Sequence, residues 1–160
     1  MIPAGRSAVD DALAAALFGY QSASYRKRRL WLEFPPEIRP FHRAGARKRF
    51  YDREQLAVHA ENLRNGTEVP IPVLDVDPRD PAPEQQRPGD LLDRDEAYEA
   101  IPVESRPAMA TWLRFIAPPS GGATTAGPEP DFILDNTRFW RRDTILEWNS
   151  RRRIIGRRKG

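Results

Sequence analysis

The sequence predicts a mainly α fold with small β-hairpins, of the α+β class, arranged as two domains that a proline-rich linker joins. Three observations lead to this prediction. The hydrophobic pattern predicts the same order of elements twice along the chain: two helices, a hairpin and a further helix. Short strings in the two copies match at a constant offset. The segment between the copies is rich in proline and acidic residues and has no helical periodicity.

The first predicted domain covers residues 9–66 and is expected to begin with a helix over residues 9–18. Leu13 and Leu17 lie four residues apart there, so they share one face of the helix. Residues 1–8 precede this helix without a regular pattern and are expected to be disordered.

A second helix is predicted over residues 23–33, after a short turn. Residues 25–29 within it read Tyr-Arg-Lys-Arg-Arg and are expected to be too polar for burial. A helix, a short turn and a basic helix in this order are typical of a helix-turn-helix. We therefore expect the second helix to present its basic side chains to solvent.

Two strands are predicted next, over residues 38–41 and 48–51, around a basic hairpin tip at residues 43–45. Asp52 is placed to cap the following helix, and Gln55 three residues later completes a capping-box pattern. A hairpin that follows a helix-turn-helix in this order is typical of the wing of a winged helix-turn-helix.

Residues 67–89 are expected to form a stiff acidic linker to a second domain over residues 90–150. Two alternatives are open for Val69–Val76, which could pair as an edge strand or lie extended on a domain. The chain ends in a basic tail over residues 151–160.

The second domain is predicted to contain helices over residues 90–100 and 105–115. Met109, Trp112 and Leu113 have the spacing of core residues on the second of these helices. This domain therefore repeats the predicted order of the first domain.

The hairpin of the second domain is predicted from short apolar runs at residues 132–134 and 138–140. Asp135 and Asn136 between them are turn residues that tolerate left-handed backbone angles. An amphipathic helix is predicted to begin near Arg142. Together these elements predict a second wing and its supporting helix.

The internal repeat is visible in the offsets between matching residues. Four residues of the first domain match four of the second at a separation of 89: Arg49, Phe50, Tyr51 and Leu56 match Arg138, Phe139, Trp140 and Ile145. Trp31 and Trp112 match at a separation of 81, and the small-residue insertion Ser120–Gly127 accounts for the difference. The interpretation is two diverged winged helix-turn-helix copies, and the alternative is chance similarity of short aromatic and basic strings.

The segment PDFILDNTRFWRRDTILEW at residues 130–148 resembles the wing and helix of excisionase-like proteins, the small MerR-related, AlpA-like domains of phages, plasmids and actinobacteria. The shared pattern is a proline-led strand, a turn, an arginine before an aromatic pair, and a helix that contains Ile and Trp. The resemblance covers about one domain strongly and the other more weakly. It implies binding to double-stranded DNA and leaves open whether the protein acts in DNA recombination or in transcription regulation.

Composition narrows the functional classes. The chain has no cysteine, which excludes disulfides and the usual zinc fingers, and no apolar run approaches the length of a membrane span. No phosphate-binding loop or catalytic motif occurs, so we expect no enzyme activity, cofactor, metal site or small-molecule substrate. Without a signal peptide, a cytoplasmic, nucleoid-associated protein is expected.

The basic charge is unevenly distributed, although the net charge is only +3. Residues 1–66 carry 12 Lys or Arg and 7 Asp or Glu, and residues 151–160 carry six cations and no anion. Residues 91–150 carry six cations and ten anions. Contact with phosphate is therefore expected from the first domain and the tail.

The candidate DNA-binding residues lie on second helices, wings and the tail, where arginine can bind guanine or phosphate. The second helices contribute Ser24, Tyr25, Arg26, Lys27, Arg28, Arg29, Arg106, Thr111 and Arg114. The wings contribute Arg43, Arg47, Lys48, Asn136 and Arg138, and the tail contributes Arg151, Arg152, Arg153, Arg157, Arg158 and Lys159. A structural role under the aromatic pair is the alternative for Arg49 and Arg138, and a solubility function is the alternative for the tail.

Two hypotheses of function follow. In the first, the protein is a sequence-specific DNA-binding protein whose two domains each read a half-site. In the second, it is an adaptor: the basic first domain and tail bind DNA nonspecifically, and the acidic second domain binds a recombinase, polymerase or replication protein.

Overall fold

The computed structural model describes residues 1–41, 48–118 and 127–157, with side chains described up to Arg152. Within these ranges the protein is a mixed α+β fold with six α-helices and two small antiparallel sheets. The chain separates into two compact units, a first unit of Ile2–Gln86 and a second unit of Arg87–Gly160, to which Met1 also belongs. In the part of the chain that the structure describes, no helix has the length and apolar character that crossing a membrane requires.

The first unit combines three helices with a two-stranded sheet, in which Val9 lies opposite Tyr51. Its elements in chain order are β1 (Ala8–Val9), α1 (Asp11–Leu17), α2 (Ser22–Arg28), β2 (Tyr51–Asp52) and α3 (Arg53–Asn65). The core is formed by Val9, Ala14, Ala15, Tyr25, Ile38, Tyr51 and Leu56. One buried side chain or more from each of these five elements thus meets in a single cluster.

The beginning of the chain differs from the prediction of disorder over residues 1–8. Ile2 is 1% exposed, and Ala8 already belongs to β1. The predicted helix over residues 9–18 begins later, at Asp11, because Val9 pairs in the sheet. Asp10 then caps the helix by accepting a hydrogen bond from the backbone N–H of Leu13 at 2.8 Å.

The predicted second helix over residues 23–33 is divided at Arg29. This residue has left-handed backbone angles, φ 53° and ψ 44°, and ends α2. A 3-10 helix over Leu30–Glu33 follows and brings Leu30 and Trp31 against the core cluster. The apolar residues of this segment therefore reach the core through a turn and not through a continuous helix.

The predicted hairpin of the first unit is only partly observed. Phe41 donates its backbone N–H to the carbonyl of Phe50 at 2.8 Å, as expected for paired strands. Strand β2 begins only at Tyr51, and it pairs with β1. The hairpin tip that was predicted at residues 43–45 lies outside the described residues.

The first part of the predicted linker packs on the first unit. Ile71 contacts the core cluster, and the Gln55 side chain donates to the Pro72 carbonyl at 2.7 Å. Val69 exchanges two hydrogen bonds with the Asn62 side chain. Of the two alternatives for Val69–Val76, the structure has the one in which this segment lies extended on a domain.

The second unit contains three helices and a three-stranded antiparallel sheet with the order β3-β5-β4. Its elements are β3 (Leu91–Leu92), α4 (Arg94–Ala100), α5 (Met109–Phe115), β4 (Phe132–Leu134), β5 (Thr137–Arg141) and α6 (Arg142–Arg157). The predicted hairpin is confirmed, and Asp135 and Asn136 have φ of 47° and 57°. Two consecutive positive φ angles give the turn a twist that suits antiparallel strands.

Both predicted helices of the second unit start later than expected. Leu91–Leu92 is a strand, and Asp93 caps α4 in a capping box with Glu96. The helix predicted from residue 105 begins at Met109, because Pro107 keeps Arg106 extended at φ −67° and ψ 126°.

The predicted core spacing on α5 is also wrong in part. Trp112 is fully buried, whereas Met109 and Leu113 are 40% and 39% exposed. A helix of seven residues presents only a narrow stripe to the core, and the Trp112 ring covers it.

Candidate nucleic-acid interface

Helix α2 is anchored by one residue and exposes most of the others. Tyr25 is 0% exposed, and its ring lies 5.7 Å from the ring of Trp31. Ser24 and the four basic residues that follow Tyr25 are exposed. The helix therefore presents a basic surface, which we call the α2 basic face and define as Arg26, Lys27, Arg28 and Arg29.

The expectation that Tyr25 is exposed is wrong. Its hydroxyl is buried and has no hydrogen-bond partner among the residues that the structure describes. Burial, with smaller contributions from Tyr51 and Asp11, raises the pKa of this hydroxyl. Burial likewise raises the pKa of Tyr51 to about 12. Both phenols are therefore neutral at physiological pH, and Tyr25 holds α2 to the core.

A carboxylate of α1 lies beside the basic face. Asp11 accepts a hydrogen bond from Arg49 at 2.8 Å, and the Nε of Arg26 lies 3.5 Å from the same carboxylate oxygen. The guanidinium of Arg49 also lies 3.5 Å from the ring centroid of Trp31. Of the two alternatives for Arg49, a DNA contact and a structural role, its contacts correspond to the structural role. The contact between Asp11 and Arg26 is one that the sequence pattern did not indicate.

The other cations of the α2 basic face have no carboxylate partner among the described residues. The guanidinium of Arg28 lies 5.6 Å from the ring centroid of Tyr20. Lys27 and Arg29 form no hydrogen bond or ion pair with a side chain that the structure describes. Their positive charges are therefore available to an anion, and guanidinium groups can meet a phosphate or a guanine with two parallel hydrogen bonds.

Three predicted DNA-binding arginines of the second unit donate to backbone carbonyls instead. Arg106 donates to Ile101 at 2.9 Å and to Glu99 at 2.6 Å. Arg138 donates to Ile116 at 2.7 Å, which corresponds to the structural alternative for this residue. Arg152 donates to Ser105 at 2.5 Å, and its guanidinium lies 5.1 Å from the ring centroid of Trp148. These hydrogen bonds connect the segments before and after α5 to other parts of the second unit, including α6.

Three exposed arginines of the second unit are paired with nearby carboxylates. Arg94 contacts Asp95 at 2.8 Å, and Arg141 contacts Asp143 at 2.8 Å. Arg151, one of the predicted tail residues, pairs with Glu147 one helical turn away. Such exposed pairs contribute little stability, but they cancel charge that would otherwise attract phosphate.

The outward residues of α5 are mostly apolar. Met109, Ala110 and Leu113 are exposed together with Arg114, and Thr111 is half-buried. Arg114 is an exposed cation of this helix that forms no ion pair with the described residues. The second helices of the two units thus present surfaces of different chemistry.

The remaining predicted residues lie on the wings and the tail. Asn136 is exposed in the β4–β5 turn, and Lys48 is half-buried. Arg153 and Arg157 lie in α6, whose side chains are described only up to Arg152. Four candidates fall outside the described residues: Arg43, Arg47, Arg158 and Lys159.

Among the described residues, no three His, Asp or Glu side chains are grouped as metal ligands would be. Comparison of the chain with known protein families, curated protein sequences and solved structures finds no match.

Proposed function

We propose that the protein binds double-stranded DNA in a sequence-specific way, as an excisionase-like protein or a transcription regulator. The observation that carries this proposal is the α2 basic face, where Lys27, Arg28 and Arg29 follow one another on an exposed helix end without carboxylate partners among the described residues. The resemblance of residues 130–148 to excisionase-like domains supports the same function.

In this proposal α2 enters the major groove, with Tyr25 fixing the helix to the unit from its buried side. Arg28 binds guanine through its fork of N–H groups, and Lys27 binds phosphate as a point charge. Each unit acts as a winged helix-turn-helix that reads one half-site, and their covalent connection raises the effective concentration of the second unit once the first is bound.

A randomised-site selection on the wild type and on Arg28→Ala tests the proposal. We expect the wild type to select a motif, and the variant to lose preference at one guanine position, with a cost of about 1–3 kcal/mol. Arg94→Ala is the matched control, because it removes an exposed arginine that is already paired with Asp95. If the wild type enriches no sequence and binds no duplex at low salt, the proposed function is wrong.

The adaptor is a second candidate, and the pairing of arginines in the second unit favours it. Arg94, Arg141 and Arg151 are each paired with a carboxylate, and α5 has a mostly apolar outward surface. A surface of this kind suits contact with another protein better than contact with a polyanion.

Arg114 separates the two candidates, because it is exposed on α5 and forms no ion pair with the described residues. If the second unit reads bases, Arg114→Ala changes the selected motif at positions that Arg28→Ala leaves intact. If the protein is an adaptor whose first unit and tail bind DNA nonspecifically, neither the wild type nor Arg114→Ala enriches a motif, although both bind duplex DNA at low salt.

A further inference from the structure

Arg29 has a backbone conformation that is unfavourable for its side chain. Its φ of 53° and ψ of 44° lie in the left-handed region, where the Cβ atom of an L-residue approaches the following carbonyl. Helices often end in this conformation, but the residue that occupies it is usually glycine, or sometimes asparagine. The chain follows that rule at the end of α3, where Gly66 has φ 64°.

The turn at Arg29 is needed for packing, but the arginine side chain is not. The turn leads into the 3-10 helix Leu30–Glu33 and so directs Trp31 toward the core. The backbone N–H of Arg29 closes α2 by bonding to the carbonyls of Arg26 and Tyr25. Glycine would provide the same N–H and would adopt the same angles without strain.

The Arg29 side chain is exposed and forms no hydrogen bond or ion pair with the described residues. No intramolecular contact in that part of the chain therefore offsets the backbone strain. A strained residue that the fold does not require is a reason to look for a functional contact.

We propose that Arg29 is kept at this strained position to bind a backbone phosphate of double-stranded nucleic acid at the end of α2. The inference rests on the proposed function and adds to it the contact that the helix end makes. Because the left-handed residue ends the helix, its side chain leaves α2 at a fixed point next to Lys27 and Arg28. A guanidinium there can bind a phosphate with two parallel hydrogen bonds.

The test compares Arg29→Gly with the wild type in thermal melts and in DNA binding. The probe is a mixture of random-sequence DNA duplexes of about 30 base pairs, because this length covers two half-sites one turn apart. We expect the melting temperature of Arg29→Gly to rise by about 2–5 °C as the strain is removed. We expect its affinity for the duplexes to fall about tenfold, and the slope of log affinity against log salt to decrease in size by about 0.9.

Two further variants make the result specific. Arg29→Lys keeps the charge and the strained backbone, so it should melt like the wild type and recover part of the lost affinity. Arg79→Gly removes one cation from a residue without positive φ, so it should neither raise the melting temperature nor flatten the salt slope.

Each outcome decides the inference. A variant Arg29→Gly that melts higher and binds weaker supports it. A variant that melts higher and binds as well as the wild type overturns the phosphate contact and leaves the proposed function intact. A variant that melts at the same temperature as the wild type or lower overturns the premise that Arg29 is strained, since Arg29 would then stabilise the helix end. Failure of the wild type itself to bind the duplexes overturns the proposed function.

Discussion

Tyr25 and Trp112 have equivalent places in their units: each is the fourth residue of a seven-residue second helix and the only buried residue in it. Both helices are too short to bury a full stripe of side chains, so one aromatic ring fixes each of them. The match of Trp31 with Trp112 in the sequence offsets is therefore not the structural one. Trp31 lies beyond α2, in the 3-10 helix that follows it.

The two anchors differ in how their polar atoms are satisfied, and this difference predicts different responses to substitution. Trp112 donates its indole N–H to the Arg94 carbonyl at 3.1 Å, whereas the buried Tyr25 hydroxyl has no hydrogen-bond partner within the described ranges of the chain. Tyr25→Phe should therefore leave the free energy of unfolding unchanged or raise it by about 1 kcal/mol. Tyr25→Ala should lower it by about 3–5 kcal/mol through the cavity it leaves.

Urea denaturation of the full chain measures both effects, with Tyr20→Phe as the control at an exposed tyrosine. A loss of more than about 1 kcal/mol in Tyr25→Phe would contradict the prediction, because the hydroxyl would then have a hydrogen bond to lose.

The elements that the sequence predicted best are those specified by neighbouring residues. The β4–β5 hairpin follows from two apolar runs and the turn at Asp135 and Asn136, and α3 follows from the cap at Asp52. Each of these signals lies within a few residues of the structure that it specifies. Local turn and capping chemistry is therefore sufficient to place them.

The short strands β1 and β3 could not be predicted in the same way. The apolar periodicity of the sequence continues through Val9 and Leu92 and therefore predicts a helix at both residues. Their backbone groups instead pair with Tyr51 and Trp140, which are distant in sequence. A strand of two residues carries no periodicity of its own, so only the tertiary partner identifies it.

The candidate site was predicted in part, for a similar reason. The exposure of Arg26 to Arg29 follows from their charge, whereas the burial of Tyr25 depends on the side of α2 that faces the core. The internal bonds of Arg106 and Arg138 depend on carbonyls that the fold brings within reach. For Arg106 the following proline was a usable signal, because it disfavours helical angles in the residue before it.

The stability of the first unit should decrease as the pH falls below neutrality because of His59. Its ring lies 5.7 Å from those of both Phe18 and Phe34, and burial lowers its pKa from the ordinary value of 6.5. The unfolded chain thus binds a proton at a higher pH than the folded chain does. The contribution of His59 to the free energy of unfolding is therefore fully present above pH 6.5. It is lost as the pH falls from 6.5 through the lowered pKa of the folded protein.

Unfolding free energies of the wild type and His59→Gln between about pH 5 and 8, the range in which histidine titrates, check this prediction. The wild type should lose stability relative to the variant on the acidic side of this range. A difference that stays constant over the range would show that the pKa of His59 is not lowered in the folded protein.

The two aspartate caps of the first unit should differ in their contribution to stability. Asp52 is 1% exposed, caps α3 and accepts hydrogen bonds from Arg6 at 2.9 and 3.2 Å. Asp10 caps α1 in an exposed setting. We expect Asp10→Ala to cost about 1 kcal/mol, and Asp52→Ala about 2–3 kcal/mol, because it also leaves Arg6 without its buried partner.

Thermal melts of the two variants and of Asp52→Asn test this order. Asparagine can still cap the helix but carries no charge, so Asp52→Asn should lie between Asp52→Ala and the wild type. Equal losses for Asp10→Ala and Asp52→Ala would show that the contacts with Arg6 add nothing to the cap.

Arg106 should behave as a structural residue, in contrast to its neighbour on the same segment of chain, Arg114. Arg106 spans the carbonyls of Glu99 and Ile101, and its guanidinium lies 5.3 Å from the ring centroid of Tyr98. Hydrogen bonds from a charged donor contribute about 1.5–3 kcal/mol, so Arg106→Ala should lower the stability of the second unit by an amount in this range. Arg114→Ala removes an exposed side chain and should change the stability by no more than about 0.5 kcal/mol.

Hydrogen exchange of the second unit in the full chain measures the loss where it occurs, and Arg106→Lys provides the sharper comparison. A lysine keeps the charge but cannot reach two carbonyls with a planar fork, so Arg106→Lys should recover little of the lost protection. Full protection in Arg106→Lys would show that the charge alone matters. Unchanged protection in Arg106→Ala would contradict the structural role of Arg106. Its guanidinium would then again be a candidate for binding DNA.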